Sequence, residues 1–468
     1  MAVSTWKFVD QPVSTPATLL DMHDGNTWRT LGDDGFDISP PPLRRTVASN
    51  SLTDGGLVTS ASYDLREIKF TVRMSASTED GRNQQLKDLE AELSKPANLL
   101  MYQAKNSSFP VFFRTFRSDA FDFDKQTGAE QYWDVKCSLL AEPFAIGVRH
   151  DIVTGASVTN DPASGTNPSR LDITGIRGDS PSPAFARVGT SFGANATFVV
   201  AQRTINNPTA LTSFAQCEAG TQGTDTTTQA NDATMSGAGN NFSRTTFATN
   251  TLITRVTVTV PTATSAEALR GRYRVYVKVR RAANSSEFNM RWQVAGSDTV
   301  TGPTVTYSAS LPNTFFMDLG VLELPAQGPA PPTIGYSGLS AGFQSVSLAI
   351  QAQRLSGAQN LDMDFVYLVP ADERLCAFNQ VASTGYICLD GPQDMTYGMA
   401  TGTSPFDPSV ANRTVANGGG LIPRIGGLPM LVPGTTNRWY ILRTSFAVTA
   451  TSTWDVSYWP RWREVATS

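Results

Sequence analysis

Histidine is almost missing from this chain: 2 in 468 residues, His23 and His150. That scarcity excludes a histidine-rich metal centre or a Cys/His zinc cluster, and it leaves no base downstream for a serine nucleophile in the second half. Cysteine is nearly as rare. Cys137, Cys217, Cys376 and Cys388 are widely spread, form no CxxC pair and make no dense disulfide framework, so reduced, buried thiols are expected. Charged residues make up 17% of the chain, against about 25% in an ordinary soluble protein. Net charge is −4 from 37 basic and 41 acidic residues, which lacks the basic surplus of a phosphate-gripping surface, so no specific nucleic-acid partner is expected. No lysine follows Lys278. No apolar run approaches the ~18 residues of a membrane span, and the opening has no basic stretch followed by an apolar one. Synthesis in the cytoplasm without a membrane span is the expectation.

What is present is Thr, Ser, Asn, Gln and Gly, a mixture suited to strands and turns. The length accommodates about two to four domains. Charge is densest in the first 150 residues. Turn-rich sequence follows at Asn160 to Pro168 and Gly178 to Pro183, and a second break lies near Pro370 to Glu373. The expected division is 1–150, linker strands 151–181, an all-β sandwich within 182–372 and a β-rich segment 373–468. The Gly/Pro-rich stretch Gly418 to Pro429 reads as a loop inside that last segment.

In Ile68-Lys-Phe70-Thr-Val72-Arg-Met74 apolar residues fall on every second position, the pattern of a half-buried strand. One helix is expected from Asp80 to Ser94, where Leu86, Leu89 and Leu93 recur at helical spacing, Asp80 or Thr78 can cap, and Pro96 opposes continuation. Farther on, Tyr273, Val275, Val277 and Val279 alternate with Arg272, Arg274, Tyr276, Lys278 and Arg280. Phe288, Met290, Trp292 and Val294 alternate with Asn289, Arg291 and Gln293, and the turn-rich Ala282 to Glu287 between them predicts an antiparallel hairpin. Val346 to Ile350 and Leu361 to Phe365 alternate likewise. Many strands, turn signals and a single helix predict a mainly β chain: a β-sandwich with one helix, then an all-β sandwich, then a C-terminal β-rich segment.

Gly338-Leu-Ser340-Ala-Gly342 fits the nucleophile-elbow pattern, but no histidine follows it, so a flexible loop is the better reading. Two catalytic carboxylates remote in sequence would escape notice, and nothing selects such a pair. Asp362 and Asp364 share the polar face of a strand, and Asp119, Asp122 and Asp124 cluster; either set is a weak calcium candidate, and an ordinary solvated face is the plainer reading. Arg177-Gly-Asp179 spells an integrin-type tripeptide inside turn-rich sequence, where chance supplies it. The sequon Asn284-Ser-Ser286 has no secretory context. One face offers recognition chemistry: Tyr276 could cover the C–H face of a sugar while Arg274, Arg291 and Gln293 meet its hydroxyls. The competing reading is a solvated basic face. Trp292 alternates with core residues and is assigned to the core.

The order of Gly25-Asn-Thr-Trp28, Gly35-Phe-Asp-Ile38, Tyr63-Asp-Leu-Arg66, Glu79-Asp-Gly81 before the Leu-rich helix, Pro110 to Thr115, and Tyr132-Trp133 to Phe144 resembles the N-terminal belt domain of distal tail proteins of long-tailed phages. Val432-Pro-Gly434 to Arg438 and Val456 to Arg461 are similar to the last strands of actinobacterial-phage versions. Leu269 to Val277 and Asn360 to Glu373 resemble first and last strands of an inserted carbohydrate-binding-module-like jelly roll. The resemblance implies a structural virion part without enzymatic activity or cofactor. It implies a closed ring, six copies in relatives, between the tail-tube protein and a baseplate hub or tip protein, assembled in the host cytoplasm, with the jelly roll available to host glycans. The alternative is a carbohydrate-active enzyme carrying a binding module.

Overall fold

The computed structural model describes residues 4–465 apart from 32–35, 39, 50–55, 105, 106, 108, 118–120, 125–131, 165, 167, 190–196, 206–212, 237, 238, 262–268, 270, 284, 297–299, 325–344, 380–385, 400–420 and 445–449. The chain is mainly β, with one helix among the described residues. It divides into two compact units: Met1–His150 with Arg177–Ser182 and Tyr458–Ser468, and Asp151–Ile176 with Pro183–Ser457.

The first unit is built on an antiparallel sheet whose main path runs Thr18–Asp21, Thr5–Val9, Ala97–Gln103, Val111–Phe116, Tyr132–Ala141, Arg66–Ser75, Trp28–Thr30. The alternation predicted for residues 68–74 is realised: Ile68, Phe70, Val72 and Met74 are all buried, because one pleat face meets the core and the other does not. The helix runs Glu79–Leu93 and is capped by Thr78, whose hydroxyl accepts from the Gly81 N–H at 3.1 Å. Leu89 and Leu93 enter the core beneath it, and Leu86 packs at its margin. Trp28 is delivered to the same core by a turn in which the Asp24 carboxylate accepts from the backbone N–H groups of Asn26, Thr27 and Trp28 at 2.8, 2.8 and 2.9 Å.

Within this unit the guanidinium of Arg66, almost wholly buried, donates to the Pro143 carbonyl at 3.0 and 2.5 Å and to the Arg463 carbonyl at 2.7 Å. It ties the end of the Tyr132–Ala141 strand to residue 463. Arg177-Gly-Asp179 has a structural role at the same place. The Arg177 N–H donates to the Tyr458 hydroxyl at 2.6 Å, and the Asp179 carboxylate accepts from the N–H groups of Arg463 and Glu464 at 2.6 and 3.1 Å. Gly178 sits at φ +104°, and a β-carbon there would meet the Arg461 carbonyl oxygen at 2.5 Å.

The second unit is a stack of four antiparallel sheets. The outermost joins His150–Thr159, Thr451–Tyr458, Ser182–Gly189, Tyr386–Asp390 and Met395–Met399; the next joins Arg170–Ile173, Thr436–Arg443, Thr197–Ile205, Arg374–Asn379 and Arg424–Gly426. These two pack through Trp454 against Trp439 and Phe198. The third sheet runs Thr226–Gln229, Phe242–Thr246, Asn360–Pro370, Gly271–Arg281, Thr314–Leu324, and the fourth Thr221–Gln222, Ile253–Pro261, Ser345–Ser356, Glu287–Val294, Val305–Tyr307. The third and fourth enclose the jelly-roll core, including Tyr273, Val275, Val277, Trp292 and Ile350. Ser182–Gly189 and Thr197–Ile205, which fall inside the span 182–372, pair with strands after residue 373.

Three sequence expectations change. Gly271–Arg281 and Glu287–Val294 are not a hairpin: the first pairs with Thr314–Leu324 and Asn360–Pro370, the second with Val305–Tyr307 and Ser345–Ser356. The turn-rich link carries the chain across the sandwich, since alternation reports a buried face and says nothing about which neighbour completes it. Part of the face of Gly271–Arg281 read as solvated is also covered: Tyr276, with Phe316, Phe365 and Tyr367 of the third sheet, packs on Val199, Ala201, Tyr440 and Leu442 of the second, and Lys278 is buried, while Arg272 stays exposed. Third, the alternation of Leu361 to Phe365 breaks. Leu361 and Met363 face the jelly-roll core, whereas Phe365 faces the second sheet. The pairing shifts where Val277 opposes Val366 and Val279 opposes Met363, so an extra residue reverses the pleat.

Candidate functional site

The four residues proposed for glycan contact lie on two different sheets. Arg274 and Tyr276 belong to Gly271–Arg281 in the third sheet, Arg291 and Gln293 to Glu287–Val294 in the fourth. Tyr276 is 4% exposed in the cluster between the second and third sheets and offers no ring to a ligand; burial pushes its phenol far above the usual range. Arg274 is held by Asp318 at 2.5 Å. The single shared face imagined from alternation is therefore split. Trp292 is buried in the jelly-roll core, where the sequence pattern assigns it.

Arg291 and Gln293 do meet, through a residue that the sequence reading passed over. Gln351 stands opposite Arg291 in the neighbouring strand. Its amide oxygen accepts from Arg291 Nε at 2.6 Å, and its amide nitrogen donates to Gln293 Oε1. The ladder continues along the same face: Asn289 stands opposite Gln353 on one side and Thr306 on the other, and the Thr306 hydroxyl donates to Asn289 Oδ1 at 2.8 Å. The signal for Gln351 and Gln353 in sequence is only a glutamine at every second position beside an alternating apolar set, a pattern that has meaning only once the register is known.

The two weak calcium candidates face other partners. Asp362 accepts a bidentate pair from Arg244 at 2.7 and 3.0 Å and two further bonds from Arg280 at 3.0 and 2.8 Å. Two guanidinium groups already neutralise that carboxylate. Asp364 is buried and accepts from the Ser236 N–H and hydroxyl, the latter at 2.7 Å. Burial pushes its carboxyl up to about 7, against the Ser236 hydrogen bonds and the nearby Lys278. Lys278 is buried too, and desolvation pulls its ammonium down to about 7, with Asp364 opposing and Arg443 adding to the shift. Among the described residues no group of three or more His, Cys, Asp and Glu is arranged to hold a metal ion.

Asp122 and Asp124 lie on Phe121–Asp124, but their side chains, Asp119, the Gly338–Gly342 motif and Asn284 fall outside the described residues. None of the four cysteines is in a disulfide, and all are buried. Burial pushes the Cys137 thiol up to about 12 and Cys376 up to about 11, so neither is a thiolate nucleophile near neutral pH. Among the described residues no helix is long and apolar enough to cross a membrane.

No protein-family model matches the chain, and no curated protein matches it. Among solved structures it is similar to the SPP1 Dit protein, described as a paradigm of the hub adsorption apparatus in phages infecting Gram-positive hosts, with a TM-score of 0.38 and 7% identity over 98% of this chain and 99% of that chain. It is also similar to a chain of the phage p2 baseplate in its activated conformation with Sr, at a TM-score of 0.24 and 9% identity over 79% of this chain and 99% of that chain. For the same baseplate with Ca the TM-score is 0.22 and the identity 9%, with 79% of this chain and 99% of that chain covered.

Proposed function

We propose that this chain is a structural component of a phage tail, a distal adaptor whose copies close into a ring, six by the resemblance, between the tail tube and the baseplate or tip. In this reading residues 1–150 are the belt that makes the ring and the jelly roll is an outward accessory that touches host glycans. The reading rests on the first unit. Trp28, the Arg66–Ser75 strand, the capped helix and the Tyr132–Ala141 strand carry the sequence resemblance to tail belts, and they converge on one sheet and one core. A closed ring of identical copies needs head-to-tail contacts that return on themselves, and strand edges such as Thr18–Asp21, at the end of the sheet path among the described residues, offer backbone for them. A net charge of −4 also suits a conduit that passes DNA without gripping it.

The test is negative-stain microscopy of the purified chain, alone and with the tail-tube protein. Closed rings are expected in at least the second sample. A monomer that persists in both would overturn the reading.

A further inference from the structure

The outer face of the fourth sheet carries a cation, Arg291, without a counter-ion among the described residues. Elsewhere in the jelly roll Arg244, Arg255, Arg274 and Arg280 each hold an aspartate. Arg291 does not: among the described residues its hydrogen bonding is confined to Nε on Gln351, which leaves the outer edge of its guanidinium fork without a described partner. The nearest described carboxylate on this face, Glu287, is four positions along the strand, about 13 Å away, and it accepts instead from the Ala309 N–H at 3.1 Å. Around Arg291 the face is amide and hydroxyl: Gln293, Gln351, Asn289, Gln353 and Thr306. Because Arg291 and Gln351 are hydrogen-bonded across the strands, the fork is held in one orientation before anything binds.

We infer that this face binds a carboxylate-bearing polysaccharide, the uronate carboxylate paired with the Arg291 fork and the sugar hydroxyls with the neighbouring amides. Charge complementarity selects the class. A lone guanidinium presents two parallel N–H groups to a planar carboxylate. A phosphate polymer or nucleic acid would call for several cations along the face, and a protein partner for aromatic anchors; among the described residues this face supplies neither. The inference rests on the proposed role of the jelly roll as the host-facing accessory and names the class of glycan it would meet.

The experiment uses the full chain and immobilised polygalacturonate, with its methyl ester as the uncharged control and polyphosphate as the competing anion. Retention on the acid form is expected to exceed that on the ester roughly tenfold, and Arg291→Gln should remove that excess, since a charge-assisted hydrogen bond of ~1.5–3 kcal/mol corresponds to about ten- to a hundredfold in affinity. Arg274→Gln, on the other sheet, should leave retention unchanged. Arg291→Lys should recover part of it, because the charge remains while the fork is gone. Equal retention of Arg291→Gln and the natural chain, no retention at all, or equal retention on polyphosphate would each overturn the inference. Microscopy of the same preparations separates the two readings: rings without polyuronate binding sink this inference alone, and binding without rings sinks the adaptor.

Discussion

At the scale of single residues, the buried pair Lys278 and Asp364 makes the clearest demand on solution behaviour. A lysine whose ammonium is pulled down to about 7 holds fewer protons folded than unfolded between that value and its ordinary 10.5, so stability climbs as pH rises through that window. An aspartate pushed up to about 7 holds more protons folded than unfolded above its ordinary 3.8, so its contribution is full at acid pH and is lost as pH rises through about 7. The two limbs place the minimum of the pair's contribution near neutrality. Lys278→Met should abolish the alkaline climb and keep the acid fall; Asp364→Asn should do the reverse. Urea unfolding midpoints from about pH 5 to about pH 9 measure both limbs, and profiles unchanged by either substitution would contradict the assignment. Gly178 makes a second demand, of geometry rather than charge. At φ +104° and with the Arg461 carbonyl where a methyl would go, Gly178→Ala should cost about 1–3 kcal/mol, read as a lowered melting temperature.

At the scale of elements, a strand's burial pattern states how many layers touch it. Thr436–Arg443 is buried at every position. Trp439 faces the first sheet of the second unit, and Leu442 the third. Substitution on either side should therefore be severe, about 3–5 kcal/mol for Trp439→Ala and about 2–5 for Leu442→Ala, by equilibrium unfolding in urea. A strand with one solvated face would tolerate one of the two. The Arg66–Ser75 strand was legible in sequence because it has that one-sided pattern, and the helix was legible because Thr78, Leu89, Leu93 and Pro96 agree on it. Asn360–Pro370 was not, since the extra residue near Asp364 moves Phe365 to the opposite side from the one alternation assigns. A bulge is a property of pairing, and a single strand's sequence does not display it.

At the scale of the whole molecule, the jelly roll reads as an insertion into a neighbouring sandwich. Thr197–Ile205 and Arg374–Asn379 are antiparallel partners, with Gln202 opposite Arg374, and the Thr204 N–H donates to Glu373 at 2.8 Å, so the chain leaves and returns side by side. Replacing residues 206–371 by a short Gly/Ser link should leave a foldable sandwich, but it would bare Val199, Ala201, Tyr440 and Leu442. The excised chain is expected to bind the dye ANS and to self-associate by light scattering, and polar substitution of Val199 and Leu442 should relieve both. Clean monomeric behaviour without those substitutions would argue that the two sandwiches do not depend on each other. The candidate glycan face was only half legible for a related reason. Arg291 and Gln293 were visible in the alternation, while Gln351, nearly 60 residues away and hydrogen-bonded to both, entered through register, and Tyr276 left through the packing of a second sheet on its face.

The residues alone determined a mainly β chain, a capped helix, buried thiols and the inward set of regularly paired strands such as Arg66–Ser75, because these follow from local propensity and from the period at which apolar side chains repeat. Which strands became neighbours, which polar faces were covered and which cation has no counter-charge among the described residues were decided only by the tertiary structure. Pairing and layering join residues hundreds of positions apart, and a two-residue period is the same whether the opposite face meets water or another sheet.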